Sequence, residues 1–273
     1  MSLVYLGHTD WGTLAAKAAN AQFAELNLEA VRVAYPPGSV ALLLLARYRE
    51  LMGCSTRIRC PQNTDVLNYL ERIDFFHKAG AGVDFDADLP ALAKHRRFPS
   101  TRFTELLTPS DEGFEEVQNV LYDFVRQNAR QQANALYAAV DEILRNVSDH
   151  SAPGNNAAFS CAQIQVYKNA VELAVGDLGV GFLGSLNRNP LLPKLASDRD
   201  ALEGAMIEKY SRLGDRERGG GLRFAADAVQ KSGGSMRVQS YCGFAYTVRD
   251  GIRFQQHATA FPGTILSVRV PRA

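Results

Sequence analysis

The sequence lacks most of the features that mark secreted, membrane-spanning or disulfide-stabilised proteins. Its 273 residues include four cysteines, none of them in a CxxC pair, so neither a disulfide framework nor a CxxC-based metal site is expected. The most apolar run, VALLLLA at Val40–Ala46, is far shorter than the roughly 18 residues that span a bilayer. The first residues, MSLVYLGHTDWG, do not resemble a signal peptide, which has a basic start and an apolar segment. We therefore expect a cytoplasmic protein with free thiols.

The chain also lacks an excess of positive or negative charge. The net charge is +1, so composition gives no reason to expect binding to nucleic acid or to an anionic membrane. With 46% hydrophobic and 22% charged residues, the chain resembles an average soluble globular protein and can form a substantial core. The length suggests one large domain or two ordinary ones.

The first half of the chain alternates strand-like and helix-like segments. This alternation favours an α/β domain in which helices cover a parallel or mixed sheet. The predicted strands are 3–6, 29–35 and 55–60, and the predicted helices are 13–26, 40–51 and 64–76.

The second half predicts two helices followed by strands. After a connection at 98–113, apolar residues recur at helical spacing from Val117 to Val147. This stretch is too long for one ordinary helix, so we expect a break near 128–134. The segments AQIQVY and AVELAVGD flank KN and predict a hairpin. The whole order predicts an α/β sandwich, in which a mostly antiparallel sheet has helices on one face.

Two short motifs in this second half combine polar residues with glycines. Glu142 and Asn146 stand one helical turn apart and therefore share a helix face, although this spacing is common by chance. Asp177, Gly179 and Gly181 follow an apolar strand. There the aspartate can accept a hydrogen bond from an exocyclic amine, and the glycines let a planar ligand approach the backbone. Taken alone, each motif also fits an ordinary helix surface or a glycine-rich turn.

Two further motifs follow along the chain. Gly219, Gly220 and Gly221 directly precede an amphipathic helix that begins near Leu222. Backbone N–H groups at such a helix start form a phosphate site, but the sequence has neither the GKS or GKT of a P-loop nor the preceding strand of a Rossmann fingerprint. Thr264 opens the last strand, in PGTILSVRVP.

In this order the four motifs resemble the GHKL ATPase superfamily, which includes sensor histidine kinases, the gyrase ATPase subunit, mismatch-repair ATPases and the ninety-kilodalton chaperone. The resemblance covers about Glu112–Ala273. It implies that Glu142 acts as the general base or orients the nucleophile, that Asn146 coordinates Mg²⁺, and that Asp177 binds the adenine amine. It also implies nucleotide contacts from His150, Gly179, Gly181, Gly219, Gly220, Gly221, Leu222 and Thr264.

The resemblance assigns Gly184–Arg218 to a mobile lid over ATP. Lys209, Arg212, Arg216 and Arg218 are candidates to reach the γ-phosphate, although a solvated charged loop is the commoner explanation for any one of them. The turn GGGLRFA departs from the G-x-G-L-G pattern of many relatives. The contacts with phosphate are therefore expected to differ in detail.

The segment 29–76 is similar to STAS domains of the anti-anti-sigma type, with a strand, a loop, a helix, a second strand and a helix in order. In that family the loop carries an Asp before a phosphorylated Ser, whereas here it reads YPPGS. We therefore expect Ser39 to be a helix N-cap. Together the two resemblances imply a STAS-like interaction domain at 1–107 and a GHKL ATP-binding domain at 108–273.

The resemblances imply a regulatory signalling protein that uses ATP and Mg²⁺ to phosphorylate a Ser or Thr of a protein partner. The pairing is similar to bacterial partner-switching systems, so a STAS or sigma-factor-like partner is expected. Two alternatives stay open: an ATP-driven conformational switch, and a module that binds nucleotide without turnover. A histidine kinase is disfavoured, because none of the five histidines is followed by Glu or Asp. A homodimer remains an open alternative.

Overall fold

The computed structural model describes residues 5–6, 23–89, 100–109, 113–150, 159–211 and 220–272. Within these ranges the side chains of residues 5, 6, 23, 24, 143 and 146–150 are left undescribed. The described chain forms a parallel pair of strands, a three-stranded parallel sheet and a four-stranded antiparallel sheet. The predicted α/β class is therefore confirmed.

The first half is built on parallel strands. Its short strands β1 and β3 pair with each other, and its three-stranded sheet has the order β2-β4-β5. The predicted strand at 55–60 is confirmed as β4, and the predicted helix at 64–76 is broken into two. The elements are β1 (Tyr5–Leu6), β2 (Phe23–Asn27), β3 (Val33–Ala34), α1 (Pro36–Leu51), β4 (Ser55–Arg59), α2 (Thr64–Arg72), α3 (Phe75–Lys78) and β5 (Val83–Phe85).

The second half has two helices before an antiparallel sheet of order β6-β7-β9-β8. The predicted break between the helices is confirmed, because a short 3₁₀ helix at Arg130–Gln132 separates them. The predicted hairpin is confirmed as β6 and β7. The elements are α4 (Phe114–Asn128), α5 (Ala133–His150), β6 (Ser160–Val166), β7 (Ala170–Asp177), α6 (Gly181–Leu186), α7 (Asp198–Met206), α8 (Gly221–Lys231), β8 (Ser235–Val248) and β9 (Gly251–Pro271).

The antiparallel sheet is covered on both faces. Side chains alternate along each strand, and one set, including Leu173 and Leu266, packs against α4, α5, α7 and α8. The other set, including Ala174 and Ile265, packs against α1. The sequence predicted helices on one face only, whereas α1 from the first half supplies a second layer.

Helix α1 joins the two halves because its segment Val40–Ala46 is apolar on every side. Each residue of Val40–Ala46 is at most 1% exposed. A helix without a polar face needs neighbours all round, and α1 finds them in both sheets. No helix in the described part of the chain is long and apolar enough to cross a membrane.

The predicted helix at 13–26 is wrong at its end. Residues 23–26 belong to β2, which pairs in parallel with β4; the rest of the predicted helix lies outside the described residues. On β2, Leu26 is fully buried while Glu25 forms an ion pair with Arg59 on β4 (2.8 Å). Pairing with β4 therefore prevails over a local composition that favours helix.

The predicted N-cap role of Ser39 is also wrong. Helix α1 begins at Pro36 with Tyr35 as the N-cap, and two prolines form its first two positions, which suits proline because its missing N–H is not needed there. Ser39 lies within the first turn, where its N–H donates to the Tyr35 carbonyl (3.0 Å). Its side chain is fully buried.

Candidate functional site

The site begins at Asp177, the last residue of β7, which pairs in register with Thr264 of β9. Its Oδ1 accepts a hydrogen bond from the N–H of Gly179 (2.6 Å). Burial raises the pKa of the Asp177 carboxyl to about 6, although the Gly179 N–H acts in the opposite direction. A carboxylate at a strand end with this environment is typical of a binding site more than of a core.

The glycine turn after β7 lies directly against β8. Gly181 has a φ of +66°, and a Cβ there would come within 2.7 Å of both Ser240 Oγ and a ring carbon of Tyr241. Ser240 Oγ accepts the N–H of Phe182 (3.0 Å), and the Tyr241 hydroxyl donates to the Gly179 carbonyl (3.3 Å). Only glycine fits at this position, and two β8 side chains hold the turn in place.

The start of the last strand meets the same turn. The Thr264 hydroxyl donates to Ser240 Oγ (3.2 Å). The preceding Gly263 has a φ of +130°, and a Cβ on it would fall on the Asp177 carbonyl. The structure therefore brings the second and fourth sequence motifs together through Ser240.

The first and third motifs also meet. Glu142 on α5 is half-buried, and a Cβ added to Gly221, the first residue of α8, would fall on its carboxyl group. The free N–H groups of a helix start carry partial positive charge, which favours a carboxylate there. The same groups attract phosphate, so Glu142 lies where a phosphate-binding turn would hold its ligand.

Lys209 lies against the same glycine turn. Gly220, the N-cap of α8, has a φ of +109°, and a Cβ on it would lie 3.2 Å from the Lys209 Cδ. The side chain of Lys209 is exposed. Its backbone has a φ of +57°, in the left-handed region. The sequence named four lysines and arginines near this turn, and the structure places this one beside it.

Several predicted residues fall outside what the structure describes. Asn146 and His150 belong to α5, and Asn146 stands one turn after Glu142, but their side chains are not among those described. The remaining glycine of the turn and the three arginines of the predicted lid lie in the undescribed segment: Gly219, Arg212, Arg216 and Arg218.

Two predicted assignments concern residues that pack in the core. The Leu222 side chain is 4% exposed and anchors the start of α8, and its contact with a nucleotide stays a prediction. The predicted lid, Gly184–Arg218, includes helix α7, whose residues Leu202 and Met206 are at most 1% exposed. Core packing holds α7 in this structure, and the movement of the segment as a lid stays a prediction.

The sequence did not reveal Ser240, Tyr241 and Gly263. Gly263 stands next to Thr264 in PGT, and a glycine before a strand is a signal of close backbone approach. Ser240 and Tyr241 read as ordinary strand residues, since the contacts that give them a role come from β7 and β9. Tyr241 lies at a β-bulge with a φ of +48°, which only the folded backbone reveals.

Comparison with models of known protein families found no match, and comparison with curated protein sequences found none either. Within the described residues, no group of three or more His, Cys, Asp or Glu side chains is placed to hold a metal ion.

Proposed function

We propose that the chain binds ATP between the end of β7 and the start of α8, as a regulatory protein of the GHKL type. One observation carries this proposal: four motifs far apart in the sequence meet as two pairs. Asp177 of β7 lies opposite Thr264 of β9 in the sheet. The Glu142 side chain contacts Gly221 at the start of α8. An accidental set of short motifs has no reason to converge in this way.

The Asp177 end suits an adenine ring. A carboxylate is a strong acceptor for the exocyclic amino group, and Gly179 and Gly181 leave the adjoining backbone without side chains. Ser240 and Tyr241 fix the position of that backbone through hydrogen bonds. Adenine would therefore meet a preformed acceptor and a flat surface.

The α8 end suits the phosphates. Gly220 and Gly221 start the helix, so their N–H groups have no partner four residues earlier within it. Lys209 lies beside the same turn and would add a positive charge. Backbone N–H groups and one lysine are the donors that phosphate requires.

Mg²⁺ would neutralise charge on the phosphates when bound. We assign it to Asn146, because an amide oxygen is a suitable ligand and this position lies one turn after Glu142 on α5.

Glu142 would accept the proton of the attacking hydroxyl. In phosphoryl transfer a bond forms between this oxygen and the γ-phosphorus, the bond from phosphorus to the β–γ bridging oxygen breaks, and ADP leaves. The start of α8 contacts the Glu142 side chain and would orient it. We propose that the acceptor is a Ser or Thr hydroxyl of a partner protein. The basis is the resemblance of the first half to STAS domains, which occur in partner-switching systems with serine kinases.

One observation favours a second candidate function, a conformational switch that is driven either by ATP hydrolysis or by ATP binding alone. A Cβ on Gly176 would lie 2.6 Å from Leu44 Cδ1, so α1 packs directly behind the residue that precedes Asp177. A shift of Asp177 on binding adenine would therefore press on the helix that joins the two halves.

The test of ATP binding is calorimetry with ATP and Mg²⁺ on the wild type, Asp177→Ala and Asn146→Ala. Asp227→Ala is a matched control, since this half-buried aspartate of α8 pairs only with Arg223 in the described contacts (2.9 Å). We expect the wild type and the control to bind alike and the other two variants to bind weakly. Absence of binding by the wild type would overturn the proposal.

A second assay separates kinase from switch. With γ-³²P-ATP, a kinase transfers label to a protein hydroxyl and loses this transfer in Glu142→Ala, whereas a hydrolytic switch releases phosphate without a labelled protein. Nucleotide binding without either product identifies a module that does not turn over.

A further inference from the structure

Lys209 has a backbone conformation that lysine rarely adopts. Its φ of +57° lies in the left-handed region, where side chains other than those of glycine, asparagine and aspartate are strained. A chain that leaves a helix through this region usually has glycine there. Strain of this kind persists only where the surrounding contacts impose it, and it is concentrated at functional sites. The conformation of Lys209 must therefore be imposed by its neighbours.

The residue after Lys209 is anchored to helix α7. The N–H of Tyr210 donates to the Gly204 carbonyl (3.0 Å). The Tyr210 ring lies against the Gly204 backbone, because a Cβ on Gly204 would come within 2.7 Å of the ring atom Cδ2. The ring also packs against the core of the second half. Tyr210 is therefore fixed through both its backbone and its side chain.

A buried asparagine anchors the next residue. Asn189 is 6% exposed, and its Nδ2 donates to the Ser211 carbonyl (2.8 Å). Its Oδ1 accepts the N–H of Leu191 (2.9 Å), so both ends of the amide are bonded. The chain is thus held at the two residues that follow Lys209, and this keeps Lys209 in the left-handed conformation.

This conformation directs the Lys209 side chain along the glycine turn before α8. A Cβ on Gly220 would lie 3.3 Å from Lys209 Cγ, 3.2 Å from Cδ and 3.6 Å from Cε, so three successive carbons follow this residue. Gly220 also has a positive φ, +109°, so both residues adopt an uncommon backbone conformation at this contact. The ammonium group, one bond beyond Cε, is therefore presented beside the first residues of α8.

We propose that Asn189 and Tyr210 are positioning residues that hold the Lys209 ammonium ready for the phosphates of ATP. The assignment rests on the proposed function and deepens it, since the lysine is then ordered during folding and not at the expense of ligand binding. It accounts for a lysine at a position where glycine would be less strained. Because Lys209 lies at the α8 end of the site, its contribution should be confined to the phosphates.

The experiment compares ATP with adenosine by calorimetry, because adenosine has the same base and sugar without the phosphates. Lys209→Gly removes the cation and relieves the strained φ. We expect its affinity for ATP to fall about tenfold, the loss of a charge-assisted hydrogen bond, while its thermal unfolding midpoint rises. Its affinity for adenosine should change less than about twofold. Unchanged affinity for ATP would overturn the proposal.

Two variants remove the anchors and keep the lysine. Asn189→Ala and Tyr210→Leu free the backbone at Lys209, so the affinity for ATP should fall about fivefold in each, the cost of ordering one residue on binding. Adenosine should again bind within about twofold of the wild type. Because the anchors lie on different segments, the test does not depend on the folding of one variant. Retention of full ATP affinity in a folded anchor variant would overturn the positioning role.

Asn187→Ala is the matched control in the same loop. Asn187 is also bonded through both ends of its amide, to the N–H (2.9 Å) and the carbonyl (3.1 Å) of Leu195, but neither bond reaches residues 209–211. We expect it to bind ATP within about twofold of the wild type. Equal weakening in Asn187→Ala and Asn189→Ala would assign both to general support of the loop and overturn the proposal. Absence of ATP binding by the wild type would instead show that the proposed function itself fails, and the positioning role with it.

Discussion

Helices α1 and α5 both pack on the antiparallel sheet, but from opposite faces and with opposite surface chemistry. In α1, 12 of 16 residues are buried, and the helix lies between the two sheets. In α5, Leu136 and Val140 are fully buried, whereas Asp141 and Glu142 are half-buried and face α4 and α8 respectively. The apolar segment of α1, Val40–Ala46, is buried on every side and holds the two sheets together. A helix with one polar face can bring a carboxylate to a binding turn.

Removal of apolar volume from α1 should give the largest effect. Leu44→Ala should lower the free energy of unfolding by about 3 kcal/mol, since the truncation leaves a cavity among fully buried neighbours. Urea unfolding monitored by circular dichroism measures this. Leu51→Ala is the control on the same helix, because Leu51 is 61% exposed, and it should cost less than about 0.5 kcal/mol. Equal losses would show that α1 is not the link between the halves.

At the proposed binding site, Asp177→Asn should weaken ATP binding and stabilise the free protein. Loss of a charged acceptor costs about 1.5–3 kcal/mol, or roughly 10- to 100-fold in affinity. The free protein should gain about 1 kcal/mol at pH 7, a value reduced for solvent access to a half-buried group. Calorimetry and thermal unfolding measure the two effects. A variant that loses both affinity and stability would assign Asp177 to the core.

Gly221→Ala tests the contact between α5 and α8. The new Cβ would fall on the Glu142 carboxyl, so this side chain has to move, and turnover of ATP should drop about tenfold. Gly82→Ala is the control, since a Cβ there meets only ordinary contacts with Glu50 of 3.4 Å or more. The assay is release or transfer of the γ-phosphate. Unchanged turnover in Gly221→Ala would remove Glu142 from the proposed chemistry.

The smallest expected effect is a pH dependence of the free protein. The folded pKa of Asp177 is about 6 and its ordinary value is 3.8, so the folded state binds more protons between these values and its stability falls as pH rises through this window. The stability advantage of Asp177→Asn should therefore be absent below pH 4 and fully present above pH 6 to 7. Thermal unfolding from pH 4 to 7.5 measures it. A constant difference would show that the group titrates normally.

Predictions from local pattern held where a segment decides its own structure. The β6–β7 hairpin and the break between α4 and α5 follow from two-residue turn chemistry and from helical periodicity. The prediction failed at β2, because Phe23–Asn27 forms a strand only by pairing with β4. It also failed at Ser39, which is buried by an α1 that starts earlier, at Pro36.

For the site, the sequence supplied residues without distances. It named Glu142, Asp177 and Thr264 from spacing and resemblance, and the structure gives the contacts that join them to neighbours. Ser240 and Tyr241 carry no local signal of their role, since a serine and a tyrosine in a strand are ordinary. Their function as supports for the glycine turn depends on partners 58 or more residues away in the chain.

The sequence by itself determined the α/β class, the two helices and the hairpin that open the second half, and the composition of the motifs. Hydrophobic periodicity and turn residues can be read from the sequence because they depend on residues close to one another in the chain. Only the tertiary structure decided that α1 covers the second face of the antiparallel sheet and that Glu142 reaches the start of α8. These features depend on burial and on long-range contacts, and their energies arise when distant segments pack together.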